Sequence, residues 1–325
     1  MTSPLLPKDL NGCPYLFLAP MEGVGDRTFR KAMVSIGGMD EVVTEFISVP
    51  SNAHVHSLAK VYDAKELGTI PLAAQIMGSE PHLMASMAME LEKKGAPRID
   101  INCGCPSHSV TGRGAGSSLL KNPNYLYEVA KAVSNAVSIP VTIKMRSGYE
   151  DTSLFKENLK AAEESGVQFI TLHPRTKIEG YTPPARWDLI ALAKEFLQIP
   201  VVGNGDILEV KDALYVLSYT KCDALMIGRG AIINPFIFLQ IRLHFENKTH
   251  TVSWESLENY LKFYLQSIPK EIPEKTKVNK IKQLISFICK STPSLLLQRQ
   301  SLLTLQSKES LLFLEEVLPI LKTNF

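Results

Sequence analysis

From residue 15 to residue 227 the chain repeats one pattern eight times: a short apolar run of β-strand character, then a segment whose apolar residues recur at helical spacing. The runs cover residues 15–19, 41–46, 70–77, 99–102, 140–145, 168–173, 200–203 and 224–227. Strands separated by helices run parallel, because a crossover must return the chain to the starting edge. Eight units closing near residue 247 match the roughly 250 residues of a (β/α)8, or TIM, barrel. The expected organisation is a barrel over residues 1–247 and a smaller unit over 248–325. Helix signals fall where this scheme needs them. Leu83, Met84, Met87, Met89 and Leu91 precede a Lys93-Lys94-Gly95 stop, and Asp151-Thr152 is expected to cap a run ending at Gly166. The methionines read as packing.

After a last barrel helix over 234–247 the strand-like runs cease, and 254–325 reads as helical throughout. Between residues 270 and 290 six lysines stand against two acids. On a helical wheel Val278, Ile281, Leu284, Ile285 and Ile288 form a stripe, with Lys277 and Lys280 on one flank and Lys275 and Lys282 on the other. Alone, this is a solvated helix packed through its apolar face; beside a nucleic acid the same lysines become a polyanion site. The net charge of +2 supplies no global field, so any polyanion must be held by a local patch. Residues 1–8 lack the basic segment and apolar core of a signal peptide, and no apolar run is long enough to span a bilayer. A cytoplasmic chain is expected. Its five cysteines are scattered, which argues against a disulfide framework, and Cys103 and Cys105 stand too close for a zinc knuckle. Reduced thiols and no metal follow.

A barrel interior is expected to be apolar, so polar residues at the C-terminal ends of its strands carry the information. Pro20-Met21-Glu22-Gly23 follows the first strand, Glu45 ends the second, Gln75 lies near the end of the third, and Asn102 with Cys105 closes the fourth. Lys144 and Arg146 end the fifth, His173 and Arg175 the sixth, Asn204-Gly205-Asp206 follows the seventh and Gly228-Arg229-Gly230 the eighth. Any one could be a capping residue, but eight polar ends are hard to explain as scaffold. Glycines after the last two strands let backbone N–H groups approach a phosphate, with Arg229 adding a charge-assisted contact. Lys144 places a cation beside an electron-rich ring or a developing anion. A phosphate-bearing molecule across the barrel mouth is implied; flavin mononucleotide (FMN) fits, and so does a sugar phosphate. The fourth end is chemically the richest, with an amide, two thiols and a glycine in Asn102-Cys103-Gly104-Cys105-Pro106. A thiol there can be a nucleophile, a ligand or an acid, or simply a small buried hydrophobe. Cys103 is expected to point away from Cys105 and to be structural.

In combination and order these segments resemble the tRNA-dihydrouridine synthase family over nearly the whole chain. The matching residues are Ala19-Pro20-Met21-Glu22-Gly23-Val24, Thr44-Glu45-Phe46, Gln75, Asn102-Cys103-Gly104-Cys105-Pro106, Lys144-Met145-Arg146, His173-Pro174-Arg175-Thr176-Lys177, Asn204-Gly205-Asp206 and Met226-Ile227-Gly228-Arg229-Gly230. Gly180-Tyr181, Trp187-Asp188 and Lys280-Ile281-Lys282-Gln283 look most like the C-type bacterial branch, whose substrate is uridine 16 of the tRNA D loop. The resemblance implies an oxidoreductase in which NADPH, or NADH, reduces FMN and the reduced flavin treats the uridine. Pro20, Met21 and Glu22 would then lie beside the flavin ring, with Gln75 and Lys144 at its edge. His173, Asn204, Gly205, Asp206, Gly228 and Arg229 would hold the ribityl phosphate. Cys105 would be the general acid, and Asn102, Arg146, Tyr181, Lys277, Lys280 and Lys282 would face the tRNA. A monomer is the expected state. Many relatives have an asparagine and a basic residue a few positions after the cysteine motif; this chain has Thr111-Gly112, then Arg113, so no RNA contact is assigned there.

The residue types suit that chemistry independently. Reducing the uracil C5=C6 bond needs a hydride at C6 and a proton at C5 from the opposite face. A thiol with a pKa near about 8.5 still holds its proton at neutral pH. Cations near the carbonyls stabilise the enolate-like charge, and a base inside folded tRNA must be swung out to be reached. Two other readings fit the same barrel: a sugar-phosphate isomerase or aldolase with Lys144 as Schiff-base amine, and a non-catalytic RNA-binding barrel.

Overall fold

The computed structural model describes residues 6–107, 111–249 and 251–325. Residues 1–5, part of the stretch read for a leader, lie outside the described residues. Strands β1 (Tyr15–Leu18), β2 (Glu41–Val43), β3 (Ile47–Val49), β4 (Leu72–Gly78), β5 (Ile99–Cys103), β6 (Val141–Gly148), β7 (Ile170–Thr176), β8 (Val201–Asn204) and β9 (Ala224–Ile227) pair in parallel throughout. Because β1 pairs with both β2 and β9, and β2 with β4, the sheet closes into an eight-position (β/α)8 barrel. The second position, expected as one strand, is filled by β2 and β3, both paired to β4. The break has a local cause. Glu45 turns out of the ladder to accept the Gly23 N–H (2.7 Å), and the Thr44 hydroxyl oxygen takes the Gln75 N–H (3.0 Å).

Helices α1 (Arg27–Ile36), α2 (Val55–Leu58), α3 (Pro81–Lys93), α4 (Pro123–Ala136), α5 (Phe155–Glu164), α6 (Trp187–Phe196), α7 (Val210–Thr220), α8 (Arg229–Ile233) and α9 (Ile237–Phe245) occupy the crossovers and the barrel's last segment. Asp26 caps α1 through the Phe29 N–H (2.9 Å) and Asn122 caps α4 through the Tyr125 N–H (3.2 Å). Asp151 does not cap α5: its carboxylate accepts the Ser153 N–H (2.8 Å) in a preceding turn, and the helix starts at Phe155.

Alternation along each strand builds two cores. Outward residues such as Leu16, Ile101, Cys103, Ile143 and Leu172 pack against the helices, while Phe17, Val43, Ala73, Phe169, Val202, Ala224 and Met226, with Leu6, fill the barrel. Full burial of a large apolar side chain contributes roughly 1.5–3 kcal/mol. The interior is not wholly apolar, however. Arg98 reaches across it to Glu41 (Nε 2.8 Å, Nη2 2.6 Å), Asp100 (3.3 Å) and the Thr142 hydroxyl, with its guanidinium 5.5 Å from the Phe17 ring centroid and 5.0 Å from that of Phe169. A buried cation survives because carboxylates on neighbouring strands pair it and rings cover it.

The remainder is helical: α10 (Trp254–Ser267), α11 (Glu274–Ile288), α12 (Pro293–Thr304) and α13 (Ser310–Asn324). The α11 stripe of Val278, Ile281, Leu284, Ile285 and Ile288 is buried, α10 packs on α1, and α11 packs on α8. Among the described residues, no helix is long and apolar enough to cross a membrane, and no group of three or more His, Cys, Asp or Glu could hold a metal ion.

Candidate active site

A cavity of about 280 Å³ opens at the C-terminal mouth of the barrel. Pro20, Met21, Glu22, Gln75, Asn102, Cys105, Lys144, Arg146, His173, Tyr181, Asn204, Gly205, Asp206, Gly228 and Arg229 all line it. Strand alternation puts Gln75, Asn102, Lys144, Arg146, His173 and Asn204 there, because the inward positions that carry the apolar plug lower down become polar at the top of β4 to β8; the others come from the segments that follow the strands.

One wall presents the thiol. The Asn102 side-chain oxygen accepts the N–H groups of Gly104 (3.0 Å) and Cys105 (2.9 Å), and its amide nitrogen donates to Gln75 Oε1 (2.8 Å). Ser117 donates to the Cys105 carbonyl from both its N–H (3.2 Å) and its hydroxyl (2.9 Å). Arg146 is buried and donates to the carbonyls of Gly104 (2.9 Å), Thr176 (2.9 Å) and Gly180 (2.8 Å), with its guanidinium 5.2 Å from the Tyr181 ring centroid. Asn102 and Arg146, expected to face tRNA, therefore also fix the loops that carry Cys105 and Tyr181. Cys105 is half-buried and the other four cysteines are fully buried. Burial, and behind it the Glu22 carboxylate, push the Cys105 thiol up, so it keeps its proton at neutral pH. Cys103 packs in the outer core, as alternation requires.

The other wall is cationic. Lys144 Nζ donates to Asn204 Oδ1 (3.0 Å), and burial, with Arg146 nearby, lowers its pKa to about 8. His173 accepts at Nε2 from Arg175 (3.2 Å), since a guanidinium can only donate. Burial and the surrounding charges of Lys144, Arg146, Arg175 and Arg229 lower its pKa to about 2, so the imidazole is neutral. Asp206 sits between Arg175 and Arg229 (2.8 Å) and accepts the Ala185 N–H (3.0 Å). Against its burial, the Arg175 hydrogen bond and these two charges hold its carboxyl below the usual range. Arg229 also stacks on Tyr181, 4.8 Å to the centroid. Two glycines permit the fit. A Cβ at Gly205 (φ +115°) would lie 3.0 Å from His173 Cδ2, and one at Gly230 would lie 2.0 Å from the Ile207 carbonyl oxygen.

The three lysines assigned to tRNA lie outside the cavity and are engaged within the chain. Lys277 pairs with Glu274 (2.8 Å) and Lys280 with Asp26, while Lys282 donates to the carbonyls of Leu303 (2.9 Å) and Leu305 (2.6 Å) at the end of α12. In the structure the flanks of the stripe hold α11 to its neighbours. What α11 does bring to the mouth is Phe287, which lines the cavity. That residue and Asp100 escaped the sequence reading, and Arg175 was read as a polar strand end without an assigned role. Phe287 lies off the stripe, which was the available signal.

The dihydrouridine synthase family model matches residues 17–320. The chain belongs to that family. As a dihydrouridine synthase it is an oxidoreductase of tRNA modification. It is similar to the tRNA-dihydrouridine(16) synthase of Neisseria meningitidis serogroup B, 34% identical over 85% of this chain and 86% of that one. The tRNA-dihydrouridine(16) synthase of Shewanella oneidensis is 40% identical over 68% of this chain and 72% of its own. The tRNA-dihydrouridine synthase B of Vibrio parahaemolyticus is 43% identical over 72% of this chain and 73% of its own. Among solved structures, a 2-naphthoyl-CoA reductase complex (TM-score 0.54, 11% identity) and the 6-hydroxypseudooxynicotine amine oxidase of Pseudomonas geniculata (TM-score 0.55, 13% identity) each match 72% of this chain. The match spans about half of either structure, 50% and 48%, and the likeness is one of fold alone.

Proposed function

We propose that this dihydrouridine synthase is FMN-dependent and reduces the C5=C6 bond of uridine 16 in the tRNA D loop, with NADPH or NADH as reductant. In this reading residues 1–247 are the catalytic barrel and 248–325 take part in tRNA binding. The observation that carries it is a single cavity with a protonated thiol on one wall and a fixed cation set on the other. The donor chemistry fits a flavin phosphate: an ammonium, the Arg229 guanidinium held by Asp206, a neutral imidazole and glycine-lined backbone. Gln75 and Lys144 would hold the ring edge beside Pro20, Met21 and Glu22, while His173, Asn204, Gly205, Gly228 and Arg229 would take the ribityl phosphate. Asp206, a carboxylate, repels phosphate and acts by orienting Arg175 and Arg229. When bound and reduced, the flavin supplies the hydride that C6 of uracil receives.

The chain's own residues do the rest. Cys105 breaks its S–H bond and protonates C5, and solvent reprotonates the thiolate. Asn102, Arg146 and Ser117 keep that sulfur in place, and Tyr181, exposed at the rim and covered by two guanidinium groups, meets the substrate base. For the tRNA backbone the segments after β5 and β7 offer Lys121 and Lys177, both over the Tyr149 ring at 3.9 and 5.1 Å to its centroid. The test is to map dihydrouridine in tRNA from cells lacking this protein, before and after it is restored. Loss and return at position 16, with a yellow flavin chromophore in the purified protein, supports the reading. A colourless protein that takes up no flavin favours the sugar-phosphate alternative.

A further inference from the structure

Asp100 is not among the residues lining the barrel-mouth cavity, yet the hydrogen bonds that fix the Cys105 N–H lead back to it. Its fully buried carboxylate accepts from the Thr142 hydroxyl (2.6 Å) and Arg98 Nη1 (3.3 Å) at Oδ1, and from Gln75 Nε2 (2.7 Å) at Oδ2. An ionised carboxylate only accepts, so Gln75 must turn its NH2 toward Asp100 and its oxygen away. That oxygen accepts from Asn102 Nδ2 (2.8 Å), which in turn aims Asn102 Oδ1 at the N–H groups of Gly104 and Cys105. Each amide taken alone could face either way; anchored at Asp100, neither can.

We propose that Asp100 is a positioning residue whose carboxylate sets the direction of a one-way hydrogen-bond chain through Gln75 and Asn102, and thereby holds the Cys105 loop. Its catalytic importance rests on the role given to Cys105 above. The test reads only the thiol, so failure of one is distinguishable from failure of the other.

Because Cys105 is the one cysteine that is not buried, alkylation of the folded full-length chain by iodoacetamide reports it, with Cys105→Ser as the blank. Asp100→Asn keeps the volume but brings an NH2 group. If that group faces Gln75, both downstream amides reverse and Asn102 presents donors to two N–H groups. If it faces Arg98 and Thr142, it opposes their donors instead. Either way the loop loosens and the half-buried thiol becomes more accessible to the reagent. The expected result is alkylation at pH 7.5 several-fold faster than in the wild-type chain. Asn102→Asp alone should loosen the loop in the same way, since its carboxylate faces the Gln75 oxygen.

The double variant Asp100→Asn with Asn102→Asp is the decisive one. The amide at position 100 then donates to Gln75 Oε1, Gln75 Nε2 donates to the carboxylate at position 102, and that carboxylate still accepts from Gly104 and Cys105. A directional chain predicts that alkylation returns to the wild-type rate. A merely structural role predicts that two buried substitutions are worse than one. Wild-type alkylation in Asp100→Asn, or a double variant as reactive as the singles, overturns the proposal. Should Asp100→Asn fail to fold, the double variant decides: folding with wild-type alkylation supports the chain, and continued misfolding overturns it.

Discussion

Cys105 and Lys144 face one cavity with opposite demands, the thiol having to keep its proton and the amine its charge. Burial serves the first and works against the second. Cys105→Ala should lower dihydrouridine formation by about 10²–10⁴-fold, the usual contribution of a general acid. NADPH oxidation by the bound flavin should continue; stopped-flow absorbance and product assay separate the two, and normal product formation would remove the role. Lys144 sets a pH dependence whose sign follows from its lowered pKa of about 8. Its cationic form is lost as pH rises through that value, so flavin should bind tightly below about pH 8 and more weakly above it. Fluorescence titration from pH 6.5 to 9.5 checks this, and Lys144→Met should bind weakly with that limb flattened.

The loops after β8 and β9 are built as a unit because Gly230 lets its backbone touch that of Ile207. Gly230→Ala should push the two loops apart and cost the chain its flavin on gel filtration, with far-UV circular dichroism little changed. The α11 lysines lead to a different expectation. Neutralising Lys277, Lys280 and Lys282 should lower the melting temperature and leave the salt slope of tRNA binding nearly unchanged, since their ammonium groups already have partners. A flattened slope would restore them to the tRNA contact. At this scale much was legible in sequence. Period-two alternation and polar strand ends located the eight barrel positions and the polar strand-end residues that line the cavity, but not its apolar lining at Ile207, Leu208 and Ile232. The break between β2 and β3 was not legible, because it depends on Glu45 meeting Gly23 from another strand's loop. Nor was the fate of the lysines: Lys280 finds its partner in Asp26, far away in sequence, and a helical wheel sees only neighbours on one helix.

Across the whole molecule the least legible feature is the charged layer inside the barrel. Arg98-Ile99-Asp100-Ile101-Asn102 alternates polar and apolar, yet the partners that make Arg98 tolerable, Glu41 and Thr142, come from other strands 57 and 44 residues away. Arg98→Met should destabilise the fold by about 3–5 kcal/mol, because it strands two buried carboxylates. Urea denaturation measures this, and a change under about 1 kcal/mol would mean that they are neutralised some other way.

The seam between barrel and tail has an evolutionary corollary. Asp26 serves both the first turn of α1 and Lys280, Gln283 reaches the Gly23 carbonyl, and Phe287 supplies part of the catalytic enclosure. Head and tail therefore cannot be traded between family members as independent modules. A hybrid that joins this barrel to a relative's final 78 residues inherits a pocket missing one side, unless the junction residues travel with it.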